Sequence, residues 1–241
     1  MSPKVKFCGL SHLADAEAMN ELMPEYVGLV FWPKSKRFVD TSQARMLRDA
    51  LDDSIRTVGV FVDESAETVV SLIDEGIISI AQLHGSEDNA YIAKLRDLAG
   101  DSLEIWKAFE VVDASDIERA NDSSADLVLL DGGKGEGRSF PWELLNGMKR
   151  PYALAGGLSP ENISFALEQC SPAVVDVSSG IEYSSDNDLE GNVPRAGCAA
   201  NGNVQWTFPP SEPLLEHGAF PSKSPRKSIS AMSSFIRQVR E

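Results

Sequence analysis

A parallel sheet buried on both faces is written in sequence as near-continuous apolar runs, and such runs alternating with helical stripes limit a chain's possible folds severely. Here they recur eight times, at Val5–Leu10, Tyr26–Phe31, Thr57–Val62, Ile77–Leu83, Leu103–Val111, Asp126–Leu130, Tyr152–Ala155 and Ala173–Val177. Helical spacing runs over His12–Leu22, Ala66–Asp74, Asp88–Leu98 and, more weakly, Ala114–Ala120, with a short helix near Trp142. Ser159-Pro160-Glu161 opens another, since Ser suits the cap and Pro the first helical position. Eight strands, most of them followed promptly by a helix, match a closed (β/α)8 TIM barrel better than an open doubly wound sheet. At 241 residues and 42% hydrophobic content, one such barrel accounts for the whole chain as a single domain, 1–241.

The eighth helix arrives late. Residues 184–225 turn to Ser, Asn, Gly and Pro, and periodicity resumes only over Lys227–Arg240, where Ile229, Met232, Phe235, Ile236 and Val239 form a stripe. This irregular insertion carries Trp206, Phe208, Leu214, Leu215 and Phe220, more large apolar residues than a disordered linker holds. Its aromatic part is expected to pack beside the end of the mouth that suits a phosphate, and the portion near Ser184–Asn203 to stay mobile. Leaving strand eight at the mouth, it is expected to cross to the opposite end before the last helix begins.

Reacting groups in such barrels stand at the carboxyl ends of the strands. In strand one, period-two alternation puts Val5 and Phe7 on one face and Lys6 and Cys8 on the other. With the apolar pair packed outward against helices, a charge and a thiol point inward, and Lys6 is placed to favour the thiolate. Strand two leads to Pro33-Lys-Ser-Lys-Arg37, strand four to Gln82-Leu-His84-Gly85 and strand six to Leu129-Leu-Asp131. Strand seven ends in Ala155-Gly156-Gly157-Leu158, and strand eight in Asp176-Val-Ser178-Ser179-Gly180. Gly-containing turns on two neighbouring final strands suit a phosphate, because glycine lets backbone N–H groups approach an anion. Taken singly, Cys8 also reads as a small core residue, His84 as a structural histidine, Arg37 as a solvated charge and Asp131 as a loop cap.

The formal charge of −15, from 22 basic and 37 acidic side chains, repels nucleic acid and anionic membrane. A phosphorylated small molecule is therefore held by backbone dipoles and a few placed cations, and neither nucleic acid nor membrane is an expected partner. The three cysteines, Cys8, Cys170 and Cys198, are too few and scattered for a disulfide framework or a metal knuckle. With no apolar run approaching a membrane span and no leader-like N-terminus, the expected compartment is the cytoplasm.

Together the strand ends resemble those of the phosphoribosylanthranilate isomerases of tryptophan biosynthesis. The resemblance rests on Lys6-Phe-Cys-Gly-Leu10, Phe31-Trp-Pro-Lys-Ser-Lys-Arg37, Val58-Gly-Val-Phe-Val62, Gln82-Leu-His-Gly85, Leu129-Leu-Asp131, Ala155-Gly-Gly-Leu-Ser-Pro-Glu-Asn162 and Val175-Asp-Val-Ser-Ser-Gly180. It implies a cofactor-free Amadori rearrangement of N-(5-phosphoribosyl)anthranilate, with no metal, by a monomer or homodimer. It also implies Asp131 as general acid on the ribose ring oxygen and Cys8 as general base at C2′. Arg37 would hold the anthranilate carboxylate, His84 would contact substrate, and Gly156, Gly157, Ser178, Ser179 and Gly180 would line the phosphate site. The chain departs from the family pattern at Lys134-Gly135-Glu136-Gly137 and Phe140-Pro141-Trp142, where a different grip on substrate is expected. Two other readings stand beside this one. A histidine-pathway aldose isomerase performs similar chemistry but typically uses two aspartates, and a catalytically retired barrel would only bind a phosphorylated ligand.

Overall fold

The alternation closes on itself. The computed structural model describes residues 2–100, 103–132, 142–183 and 224–241, and in it eight parallel strands pair in chain order until the last returns to the first. They are β1 (Lys4–Cys8), β2 (Tyr26–Val30), β3 (Arg56–Phe61), β4 (Ile80–Leu83), β5 (Glu104–Glu110), β6 (Leu127–Asp131), β7 (Tyr152–Ala155) and β8 (Val174–Val177). Around them lie α1 (Leu13–Leu22), α2 (Thr41–Ala50), α3 (Ala66–Asp74), α4 (Asn89–Ala99), α5 (Ala114–Asn121), α6 (Ile163–Gln169) and α7 (Ile229–Arg240). Short 3-10 segments, Trp142–Gly147 and Ser179–Ile181, follow β6 and β8.

Period two divides the apolar side chains between two cores. Val5 and Phe7 face the helices, packed in one outer layer with Leu10, Met19 and Phe235. Phe7 meets Phe235 edge to face at 6.2 Å, which fastens α7 against β1. Inside the barrel Tyr26, Val58, Ile80, Trp106, Leu129, Ala153 and Val174 form a separate core, with Trp106 and Tyr26 edge to face at 5.0 Å. Lys6 enters this interior too. It is wholly buried, and its Nζ donates to Asp176 Oδ2 at 2.8 Å across the β1–β8 seam, where the register sets the two residues side by side. Above it Cys8 packs with Val30 and Val60 at the carboxyl end. The inward and outward faces expected for strand one are those found.

The differences from expectation are local. The unit after β2 is completed by α2, which carries only a thin buried stripe of Ala44 and Leu47 and is started by a capping box between Asp40 and Gln43. β4 begins at Ile80 rather than Ile77, because the N–H groups of Ile77 and Ile78 are used on Leu72 O to end α3 beyond Gly76. α6 begins at Ile163, later than Ser159-Pro160-Glu161 suggests. The Asn162 side chain accepts from Ser159 N–H and donates to Gly157 O, folding those residues into a turn.

The expected path of the insertion is overturned. Tyr183 N–H donates to Arg226 O at 3.1 Å, Ser228 N–H donates to Ile181 O at 2.7 Å, and Glu182 pairs antiparallel with Lys227. Both ends therefore meet at the mouth. A helix in a β/α unit runs back antiparallel to its strand, so the connection from β8 to α7 begins and ends on one face and has no need to cross the barrel. Residues 184–223 of the insertion, with Trp206, Phe208, Leu214, Leu215 and Phe220, lie outside the described residues, as do Cys198 and the departures at 134–137 and at Phe140 and Pro141.

Candidate active site

The carboxyl ends of β1 and β2 fix the thiol. Gly28 faces it so closely that a Cβ there would stand 2.6 Å from Cys8 Sγ. Burial raises the Cys8 thiol above its ordinary pKa, and Asp176 adds to this, while Lys6 and Lys227 pull the other way without prevailing. Lys6 thus favours the thiolate, as the alternation suggests, but the surrounding protein favours the thiol more. Burial also opposes the Lys6 ammonium, yet Asp176 and Cys8 outweigh it and hold Lys6 above the usual lysine range.

Gly9 follows Cys8 with φ +82°, and a Cβ at that position would lie 2.3 Å from Arg37 Cδ, so the Arg37 stem crosses directly over the end of β1. Its Nε donates to Glu182 Oε1 at 2.5 Å. The same oxygen accepts from Lys227 Nζ at 3.1 Å, and Oε2 accepts from Lys36 Nζ at 3.1 Å. Burial alone would raise Glu182, but Arg37 and Lys227 hold its carboxyl below the ordinary range. Lys227 is fully buried, which lowers its pKa despite Glu182.

Across the mouth, Asp131 ends β6, three places from β1 in the closed order through β7 and β8. The β7 turn presses against it. A Cβ on Gly156 would fall 2.4 Å from Asp131 Oδ1 and 2.5 Å from Gly132 N, and φ there is +90°. His84 Nε2 stands 3.7 Å from Asp131 Oδ2, and its Nδ1 lies 3.2 Å from Gln82 Nε2. Burial lowers the His84 pKa against the pull of Asp131, which favours the neutral ring.

The glycine turns of β7 and β8 abut, since a Cβ on Gly180 would lie 2.0 Å from Leu158 O. Gly157 has φ +66°, and Ser179 is exposed at the rim. Ser178 differs from the others, because its hydroxyl donates to Cys8 O at 2.9 Å and so ties β8 to β1. Cys170 lies in the helical shell, its thiol donating to Ala166 O at 3.3 Å.

The structure thus brings Cys8, Arg37, His84, Asp131, Gly156, Gly157, Ser178, Ser179 and Gly180 to one rim. Sequence reading missed Asp176, Glu182 and Lys227. Asp176 was legible as a carboxylate in register with Lys6, whereas the other two flank the insertion and carried no local signal. Two buried acceptors, Gln82 Oε1 and Asp176 Oδ1, have no donor among the described residues.

Known proteins resemble the chain in sequence and in fold. The family model for N-(5′-phosphoribosyl)anthranilate (PRA) isomerase matches residues 5–190. The N-(5′-phosphoribosyl)anthranilate isomerase of Clostridium acetobutylicum is 40% identical over 78% of this chain and 93% of its own length. That of Thermoanaerobacter sp. strain X514 is 37% identical with the same shares. Among solved structures, phosphoribosyl anthranilate isomerase from Thermotoga maritima superposes with a TM-score of 0.73 at 28% identity, covering 99% of this chain and 98% of that one. A second, solved with reduced 1-(o-carboxyphenylamino)-1-deoxyribulose 5-phosphate, gives 0.71 at 28% identity and the same coverage. With its closed barrel, its strand-end residues and these matches, the chain belongs to the N-(5′-phosphoribosyl)anthranilate isomerase family.

Proposed function

We propose that this chain isomerises N-(5′-phosphoribosyl)anthranilate to 1-(2-carboxyphenylamino)-1-deoxyribulose 5-phosphate with Asp131 as general acid and Cys8 as general base. Asp131 gives a proton to the ribose ring oxygen. The C1′–O bond breaks as the anthranilate nitrogen shares its lone pair with C1′, leaving a protonated Schiff base. Cys8 Sγ then takes the C2′ proton, and the freed electron pair forms the C1′=C2′ bond and neutralises the nitrogen. The resulting enolamine gains a proton at C1′ and loses one from the C2′ hydroxyl to give the ketone. Placing a proton donor and a proton acceptor on well-separated strands suits a step in which protons leave and arrive at different atoms of one sugar.

Burial favours the protonated thiol, and the positive charge of the Schiff base, with Lys6 and Lys227, favours release of the thiol proton to solvent, so that Sγ as thiolate can take the one at C2′. Arg37 holds the anthranilate carboxylate, and His84 contacts the substrate beside Asp131. The abutting turns at Gly156, Gly157, Ser178, Ser179 and Gly180 receive the phosphate. The orphaned acceptors Gln82 Oε1 and Asp176 Oδ1 suit the sugar hydroxyls, because a buried acceptor without a donor costs about 1–3 kcal/mol. One barrel domain with the 184–225 insertion, acting in the cytoplasm as a monomer or homodimer, completes the reading. Among the described residues no helix is long and apolar enough to cross a membrane. A related solved structure concerns monomers derived from a dimeric enzyme.

The observation that carries the reading is the joint placement of thiol, carboxyl and guanidinium at one rim, each held by a glycine that leaves no room for a Cβ. The test is turnover of freshly prepared N-(5′-phosphoribosyl)anthranilate, followed by the change in anthranilate fluorescence. Turnover lost in Cys8→Ser supports the assignment; a wild-type chain that binds the substrate without converting it would identify a retired barrel.

A further inference from the structure

Glu182 is the one carboxylate of a four-charge cluster that the mechanism leaves unused. Its side chain is 7% exposed, while Arg37 is 18% and Lys227 0% exposed. Such enclosure makes the pairings charge-assisted contacts of fixed geometry rather than loose surface pairs. Among the described residues the Arg37 side chain makes its hydrogen bond through Nε alone. A guanidinium offers its donors in a planar fork, so occupying Nε leaves the two terminal nitrogens for a second carboxylate in bidentate geometry. Gly9, having no side chain, leaves the space that the Arg37 stem fills over the end of β1.

Glu182 is itself held from two sides. Its backbone pairs with that of Lys227, and the Lys227 Nζ, donating to Ser178 O at 3.1 Å, donates also to Glu182 Oε1. Three cations around one carboxylate leave an excess of positive charge at the mouth of an otherwise acidic protein, which favours an anionic group there.

We infer that Glu182 is a positioning residue that holds Arg37 by Nε and presents its terminal nitrogens to the aromatic carboxylate of the substrate, with Lys227 fixing Glu182 in turn. The inference rests on the proposed role of Arg37. It makes the stretch just after β8, together with the chain returning to α7, the determinant of carboxylate recognition.

The experiment compares Glu182→Gln and Glu182→Ala with the wild type on two substrates, N-(5′-phosphoribosyl)anthranilate and the corresponding phosphoribosyl derivative of aniline, which lacks the carboxylate. For the natural substrate, Glu182→Ala is expected to raise KM about tenfold or more with kcat within about threefold, since ground-state orientation is what is lost. Glu182→Gln keeps a carbonyl acceptor for Nε and should recover most of the KM. For the aniline compound both variants should match the wild type. Should Glu182→Ala fail to fold by circular dichroism, Glu182→Met, which also lacks an acceptor for Nε but keeps the side-chain bulk, takes its place with the same KM rise expected on the carboxylated substrate alone. Equal KM rises on both substrates in the variant without an acceptor, or an unchanged KM on the natural one there, would overturn the inference. Arg37→Ala serves as the control: if it leaves KM for the natural substrate unchanged, the reading of Arg37 fails, and this inference with it.

Discussion

Replacing Lys6 by Met removes the cation from a fully buried pair and strands Asp176 inside the barrel. The two side chains are 0% and 8% exposed and bonded at 2.8 Å, so neither has water to fall back on. Breaking such a pair from one side costs about 3–5 kcal/mol. For a chain of this length about 2–4 °C of Tm is lost per kcal/mol, which gives a fall of roughly 6–20 °C. The sign with pH follows from Lys6, whose folded pKa is raised above the unfolded value. Its contribution is complete below the unfolded lysine value of about 10.4 and is lost only as pH rises through the folded value. The Tm difference between Lys6→Met and the wild type should therefore narrow only above about pH 10. Lys6 also draws the Cys8 pKa downward, so its loss should move the rising limb of kcat/KM to higher pH. Replacing both partners, Lys6→Met with Asp176→Leu, should restore most of the Tm, because an apolar pair of similar volume is often neutral or better. Thermal unfolding followed by circular dichroism and a pH–rate profile measure both effects. A Tm within about 2 °C of wild type, or a limb that stays put or moves down, would refute the reasoning.

Cys8→Ser and Asp131→Asn should each lower kcat by about 10² or more while leaving the urea midpoint nearly unchanged, and near-normal turnover in either would remove that residue from its role. Gly156→Ala forces a Cβ to within 2.4 Å of Asp131 Oδ1 at a φ of +90°. A loss of about 1–3 kcal/mol of stability together with a kcat reduced at least about tenfold is expected, and wild-type kinetics would show that the Asp131 carboxyl tolerates displacement. Replacing residues 185–221 by a short Gly-Ser turn should leave the barrel folded, because Tyr183, Glu182 and Ile181 still pair with Arg226, Lys227 and Ser228. A raised KM in that variant would assign the insertion to substrate binding, and unchanged KM and kcat would show it to be passive.

The strands were legible because burial on both faces leaves a compositional mark, and the direction of Lys6 and Cys8 followed from period two alone. Asp131 and the glycine turns were legible because a TIM barrel concentrates chemistry at known chain positions. α2 was harder to see, since Ala44 and Leu47 make a stripe too thin to stand out and its start depends on the Asp40 side chain. The net direction of the Cys8 shift was not legible at all. Lys6 is two residues away and argues for the thiolate, but the opposing burial is set by β2, β3 and β8, which only the closed barrel assembles. Glu182 and Lys227 lie 45 positions apart with the insertion between them, so no local pattern could couple them. The path expected for the insertion failed for a different reason: a helix runs antiparallel to the strand before it, so α7 starts at the same end of the barrel at which β8 stops.

The backbone ladder that joins Ile181–Tyr183 to Arg226–Ser228 acts as a clasp, and a clasp separates what it closes from what it is fastened to. The entropy of closing the excursion between its two halves is met at the clasp, and each doubling of the excursion's length adds only about 0.6 kcal/mol. Lys227 and Glu182 sit on the barrel side of that closure, so the segment beyond it can be lengthened, shortened or exchanged without re-registering α7 or moving Arg37. The two ends of that segment meet at the carboxyl-terminal rim beside Arg37 and Lys227, so a change in its length leaves the pairing of Ile181–Tyr183 with Arg226–Ser228 in place.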